Sequence, residues 1–206
     1  MSVKKPHQKG GRFEGELCRV FSKWLTYDKR DDVFYKTSGS GGRATQRQKL
    51  QKQTAFSAGD MSFNDPIGKP FIEYFLVEIK RGYNTNVIFN SLIDKDHSKT
   101  KTPLIIDWFK KANQERSQNN RKAVMLLMRR DYARTLVVLK YQEYKKFQSS
   151  FNNRYKLSNY AILNLQKEYR LTLIAIPLDT FLRWFKPKKF LGVYKQWKEL
   201  RTKRPT

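Results

Sequence analysis

Cysteine is almost missing from this sequence. Cys18 is its one representative in 206 residues, which excludes an intramolecular disulfide and a cysteine-based zinc site. Histidine is nearly as scarce. His7 and His97 stand too far apart along the chain to suggest a histidine metal centre. No apolar run approaches the roughly 18 residues that a membrane-spanning helix needs. Residues 1–11 are basic and polar, without the apolar stretch of a secretory signal. Acidic residues are the last shortage: 18 Asp and Glu face 43 Lys and Arg, a net charge of +25. Together these shortages imply a reducing, cytoplasmic setting and a polyanionic partner, drawn in by the field and released by salt. The basic residues are spread along the whole chain, which favours a broad nucleic-acid-facing surface over a membrane surface.

What is present suits one folded domain. Hydrophobic residues make up 39% of the chain, enough for a single core at this length. Residues 1–10 read as a basic disordered arm. From Gly11 to Leu25, the residues Phe13, Leu17, Val20, Phe21, Trp24 and Leu25 recur at three-four spacing, the stripe of a core-facing helix. Val33 to Lys36 reads as a short strand. Pro103 to Ser117 reads as a helix with Leu104, Ile105, Trp108, Phe109 and Ala112 on its core stripe. Ala123 to Met128 is a continuous apolar run, read as a buried strand, and Thr135 to Leu139 is another strand. Further on, the pattern gives a helix over Tyr141 to Phe151, a strand over Leu171 to Ile176 and a short helix over Leu178 to Phe185. Tyr155 to Glu168 has no clear pattern. From Lys186 basic residues interleave with Tyr194 and Trp197, a combination that can bind nucleic acid. This order of elements suits an α/β fold, a mixed central β-sheet flanked by helices.

The chemistry gathers between Gly59 and Lys80. Phe75-Leu76-Val77-Glu78-Ile79-Lys80 alternates, so a strand there puts Leu76, Glu78 and Lys80 on one face and Phe75, Val77 and Ile79 on the other. A carboxylate and an ammonium at the end of an otherwise apolar strand are costly to bury unless they are paired or hold a metal. Asp60 precedes them by enough chain for a strand from Met61, a turn over Asn64 to Pro70, and a return strand from Phe71 to Ile79. Antiparallel pairing of that hairpin brings Asp60 and Glu78 to one sheet edge, with Asp65 structural in the turn and Glu73 away from the site. Asp60 and Glu78 then offer the oxygen ligands that Mg²⁺ prefers, with Mn²⁺ as a substitute. Lys80 can orient or polarise an attacking water. That set suits hydrolysis of a phosphodiester.

Asp60 followed by Glu78-Ile79-Lys80 resembles the D…(D/E)-x-K signature of the PD-(D/E)XK nuclease superfamily. Gly10-Gly11-Arg12-Phe13-Glu14-Gly15-Glu16-Leu17 is similar to the first helix of archaeal-type Holliday junction resolvases. There a glycine is followed four positions on by an active-site glutamate, which maps to Gly10 and Glu14. Lys36-Thr37-Ser38-Gly39-Ser40-Gly41-Gly42 is similar to their Ser/Gly element. The resemblance covers roughly residues 9–140. It implies a restriction-endonuclease-like core over about 11–140, with a basic C-terminal extension over about 141–206. It also implies catalytic roles for Glu14, Asp60, Glu78 and Lys80, with Asp60, Glu78 and Glu14 on the metal. A homodimer acting on branched DNA follows from it too. Helix pattern alone leaves Glu14 and Glu16 as ordinary first-turn acids. Gly59 stands where the superfamily commonly has proline.

Ser38 and Ser40 lie in a Gly-rich stretch whose backbone N–H groups can approach a phosphate, or which serves as a plain linker. Arg43, Arg47, Lys49 and Lys52 alternate with glutamines and read as a DNA clamp. Arg81 opens a polar segment that can touch the DNA backbone. The expected activity is a metal-dependent, structure-specific DNA endonuclease. The alternatives are a sequence-specific restriction or repair endonuclease on the same core, or a non-catalytic nucleic-acid-binding protein. The last accounts for the charge but not for Glu78 and Lys80 sharing a strand face after Asp60.

Overall fold

The structure is a computed structural model that describes residues 6–37, 58–82, 102–151 and 157–202. Helix α1 spans Pro6–Thr26. It begins at Pro6 rather than Gly11, because proline fits the first helical position, where its missing N–H loses nothing. Phe13, Leu17, Cys18, Phe21 and Leu25 are buried along it. Strand β1 (Phe34–Lys36) pairs antiparallel with β2 (Met61–Phe63), with Lys36 opposite Met61.

The hairpin expected over Met61 to Ile79 is corrected. After β2 the chain makes a 3₁₀ turn at Pro66–Gly68 and then a helix, α2, at Lys69–Tyr74, before entering β3 at Phe75–Arg81. Pro66 and Pro70 have no N–H for a strand ladder and suit the first turns of helices. The Asp65 carboxylate accepts from Ile67 N at 2.9 Å and pairs with Arg30, which fixes the turn. Phe71, Ile72 and Tyr74 are buried on α2.

Helix α3 (Leu104–Gln118) carries the chain back to β4 (Ala123–Arg129), the crossover that parallel neighbours require. Then come β5 (Leu136–Lys140), α4 (Tyr141–Phe151), β6 (Ala161–Leu165), α5 (Gln166–Tyr169), β7 (Leu171–Pro177), α6 (Leu178–Trp184) and α7 (Pro187–Thr202). The main sheet has the order β3-β4-β5-β7-β6; β3 and β4 are parallel and the other neighbours antiparallel. This is the mixed, helix-flanked sheet of a restriction-endonuclease-like α/β core.

Each face of the sheet is covered. On one side Leu76, Val124, Leu126 and Val138 pack against Ile105, Ile106, Phe109 and Ala112 of α3. Leu104, expected on that stripe, is 44% exposed; Ile106 is buried instead. On the other side Phe75, Val77, Ile79, Met125 and Leu127 meet α1, α2, α4, α6 and α7 in an aromatic-rich cluster. Strand β7 lies inside the sheet, between β5 and the edge strand β6. The last third of the chain therefore completes the core. Of the two aromatics that interleave with basic residues on α7, Tyr194 is buried and Trp197 packs partly buried against the same cluster. No described helix is long and apolar enough to cross a membrane.

Candidate active site

Strand β3 is at the edge of the sheet, so its outer N–H and C=O groups need partners from outside the ladder. Gly59 and Asp60 provide them. Asp60 N–H donates to Val77 O at 2.8 Å, and Ile79 N–H donates to Asp60 Oδ2 at 2.7 Å. A side-chain carboxylate thus replaces one carbonyl of a neighbouring strand. Behind it, Thr37 N–H donates to Asp60 O at 3.2 Å and the Thr37 hydroxyl donates to Gly59 O at 2.5 Å. Asp60 and Glu78 are thereby brought together by a two-residue dock on β3, not by the expected hairpin.

Gly59 is required by this geometry. Its φ is +75°, and a Cβ there would lie 2.6 Å from the Val77 carbonyl oxygen. A proline, with φ fixed near −65°, could not take its place. Gly59→Ala is expected to lower stability by about 2 kcal/mol through strain and clash and to loosen Asp60. A urea melt alongside a cleavage assay measures both effects.

Glu78 lies on β3 with its side chain only 17% exposed, in contact with the Lys80 ammonium, itself 24% exposed. Burial first, and the Asp60 charge second, push Glu78 up to about 7, against the opposing pull of Lys80. Two carboxylates held this close repel each other, and a hard cation with one or two carboxylate ligands and water for the rest suits them. Among the described residues, no group of three or more His, Cys, Asp or Glu is placed to hold a metal ion. Asp60, Glu78 and Glu14, the ligand set expected from the sequence, are thus not gathered into one such group.

Glu14 is half-buried on α1. Its charge and that of Asp60 both act on Cys18, which burial chiefly raises to about 12. Glu16 is engaged elsewhere: both its oxygens accept from Arg129 at 2.8 Å, holding its carboxyl below the usual range. Arg81 folds back over the Phe13 ring and pairs with Asp131 at 3.7 Å. Ser38, Ser40, Arg43, Arg47, Lys49 and Lys52 lie outside the described residues.

Two residues join the site without having been singled out from the sequence. Glu115 Oε1 accepts from Gly59 N at 3.0 Å, and its charge also raises Glu78. It continues the Trp108 and Ala112 stripe by three positions. An acid on a core-facing stripe was the signal for it. Lys36 Nζ donates to Gly11 O at 3.3 Å and counters the acids around Cys18. Only its place at the start of the Ser/Gly element marked it.

A family model described as "Phage putative PDDEXK endonuclease" matches residues 5–192. No curated protein and no solved structure matches.

Proposed function

The chain belongs to this phage PDDEXK endonuclease family, and we propose that it hydrolyses DNA phosphodiester bonds at a centre formed by Asp60, Glu78 and Lys80. The observation that carries the reading is a partly buried Glu78, driven toward neutrality by its surroundings and by an Asp60 pinned to the same strand. Packing does not explain such a pair, because it weakens the fold that holds it; chemistry at that spot does.

Asp60 and Glu78 would hold Mg²⁺, or Mn²⁺ in its place, which when bound supplies positive charge to a phosphoryl oxygen and acidity to a water. The other functions belong to the chain. Ile79 N–H and the Gly59 turn hold the Asp60 carboxylate, and Glu115 holds Gly59. The Lys80 ammonium favours the charged form of Glu78. Lys80 would also orient the attacking water or offset charge developing on the phosphate. Glu14 is assigned a supporting acid role. The preferred DNA is read as branched, cut by a homodimer that presents two such centres, on the support of the Gly10–Glu14 spacing. The setting is read as cytoplasmic, which a single buried thiol suits.

Glu14 and Glu16 separate cleanly by experiment. Glu14→Gln is expected to slow cleavage by about tenfold or more, as loss of a supporting group does. Glu16→Gln should leave the rate within about twofold and cost at most about 1 kcal/mol, because its pair is exposed. Equal losses in the two variants would overturn the assignment.

The function as a whole is tested by a cleavage panel. Wild-type protein is incubated with four-way junction, flap and linear DNA in Mg²⁺, Mn²⁺ or chelator. Junction cleavage that needs the metal supports the reading. Preference for linear duplex overturns the resolvase-like part in favour of a restriction or repair enzyme. Binding without any cleavage overturns the enzyme reading altogether.

A further inference from the structure

The turn between β4 and β5 carries an aromatic ring that the core does not use. Tyr132 is 110% exposed, more than any other large apolar side chain among the described residues, so no neighbour covers it. A single surface tyrosine needs no explanation by itself. The backbone, position and flanks of this one call for it.

The backbone is unusual. Ala133 N–H donates to Arg130 O at 3.2 Å and closes a turn. Tyr132 is the third residue of that turn, at φ +60°. Glycine or asparagine usually takes such a position, and a bulky residue there is uncommon. Folding gains no packing in return for the strain.

The position is the active end of the sheet. Strands β3 and β4 run parallel, with Lys80 beside Met128 and Arg81 beside Arg129. The β4–β5 turn therefore leaves the sheet at the end where Glu78 and Lys80 lie. Tyr132 follows Met128 by four residues, which a chain spans in at most about 14 Å. With about 5 Å between strands, its backbone is within roughly 19 Å of Lys80. At about 3.4 Å per nucleotide along a strand, that is about six nucleotides from a phosphate at the centre.

The stem of the turn is fastened on both sides. Asp131 pairs with Arg81 at 3.7 Å, and Gly82 N–H donates to Arg129 O at 3.1 Å. Glu16 holds the Arg129 guanidinium, which also lies 4.2 Å from the centre of the Phe13 ring. On the other side Leu178 N–H donates to Thr135 O at 2.9 Å. A bare ring thus stands on a fixed base.

The flanks select the partner. Arg130 and Arg134, on either side of the tip, are exposed. Cations interleaved with an aromatic suit a nucleic acid, whose phosphates meet the cations and whose bases offer flat faces to the ring. A second copy of this chain, also at +25, would be repelled. Inside a duplex each base already stacks on both faces, and inserting a ring there costs unstacking. A base at a branch point or flap has a face left open.

We propose that Tyr132 stacks on a base whose face is open at a branch or flap, near the cleaved phosphate, and so favours branched over linear DNA. This rests on the nuclease reading of the Asp60–Glu78 centre and adds a contact outside it.

Fluorescence anisotropy tests it, with the full chain in chelator and a labelled four-way junction, flap or linear duplex of the same sequence. Tyr132→Ala and Tyr132→Leu should weaken binding to junction and flap at least about fivefold, and to linear duplex less than about twofold. Tyr132→Phe should bind all three as the parent does. The salt dependence should keep its slope in every variant, because no phosphate contact is lost. Urea melts check folding, and an uncovered ring predicts an unchanged midpoint. With Mg²⁺, Tyr132→Ala should raise KM on the junction and leave kcat within about twofold. Tyr132→Ala that binds all three DNAs as the parent does overturns the proposal. So does an equal loss on linear duplex, a loss repeated in Tyr132→Phe, or a flattened salt slope. A parent that binds DNA but cuts none overturns the nuclease reading alone, and the anisotropy series still decides on Tyr132. A parent that binds no DNA overturns both.

Discussion

Glu78→Gln is expected to leave a protein that still binds DNA, cleaves it about a hundredfold to a thousandfold more slowly than the parent, and in the absence of metal melts at a higher temperature. The rate loss is the size expected when one group that organises transition-state charge is removed. The gain in stability has a separate cause. Glu78 is raised from 4.5 to about 7, with burial and Asp60 outweighing Lys80. A raised folded-state pKa means stability that is fully present below the unfolded value and lost as pH climbs through the folded one. The wild type is therefore penalised above neutrality, by a shift worth on the order of 3 kcal/mol, and glutamine escapes the penalty at nearly the same volume. The difference between the two proteins should be largest near pH 8 and small near pH 4. Mg²⁺ should reverse the order, because a ligand at a hundred times its Kd stabilises the folded state by about 2.7 kcal/mol and glutamine is a poor ligand. Thermal melts of both proteins across pH, with and without Mg²⁺, check this. A wild type indifferent to Mg²⁺, or a variant less stable at pH 8, would remove the basis for the proposed centre.

Phe185→Ala is expected to cost about 4 kcal/mol, within the range for deleting a fully buried phenylalanine, a large share of the roughly 5–15 kcal/mol that holds a domain folded. Phe185 is 0% exposed. Its ring stacks on Trp24 of α1 at 5.5 Å, meets Phe147 of α4 at 5.0 Å and Phe181 of α6 at 4.7 Å, and touches Phe190 of α7 at 5.4 Å. Its carbonyl also accepts from Trp24 Nε1 at 2.6 Å. Four helices thus converge on one residue just past the end of α6. Urea denaturation measures the loss, with the fully exposed Tyr132→Ala as a neutral control. A cost below about 1 kcal/mol would mean that the last third of the chain is an appendage and not part of the core.

Parts of this were readable in the residues alone. Phe75 to Lys80 alternates strictly, and the structure divides it as expected, with Leu76 toward α3 and Phe75, Val77 and Ile79 toward the aromatic cluster. The stripes of α1 and the apolar run of β4 were legible for the same reason: one period, with few competing signals. The helix α2 was not, because Phe71 to Ile79 is continuously apolar enough to pass for one strand, and the decisive Pro66 and Pro70 were absorbed into a turn. Strand β6 was hidden by its exposed Ala161 and Ile162, which carry no burial pattern. Glu115 reaches Gly59 only through tertiary folding across α3, and no local spacing encodes that contact. The contact between Glu78 and Lys80 follows from strand parity, whereas the docking of Asp60 depends on a left-handed turn at Gly59.

Thr37 grips Gly59 and Asp60 through two hydrogen bonds, and Asp60 in turn clasps Ile79. The small sheet of β1 and β2 and the edge of the main sheet are therefore fastened at one knot, and a shift of either sheet is felt first at the Asp60 carboxylate.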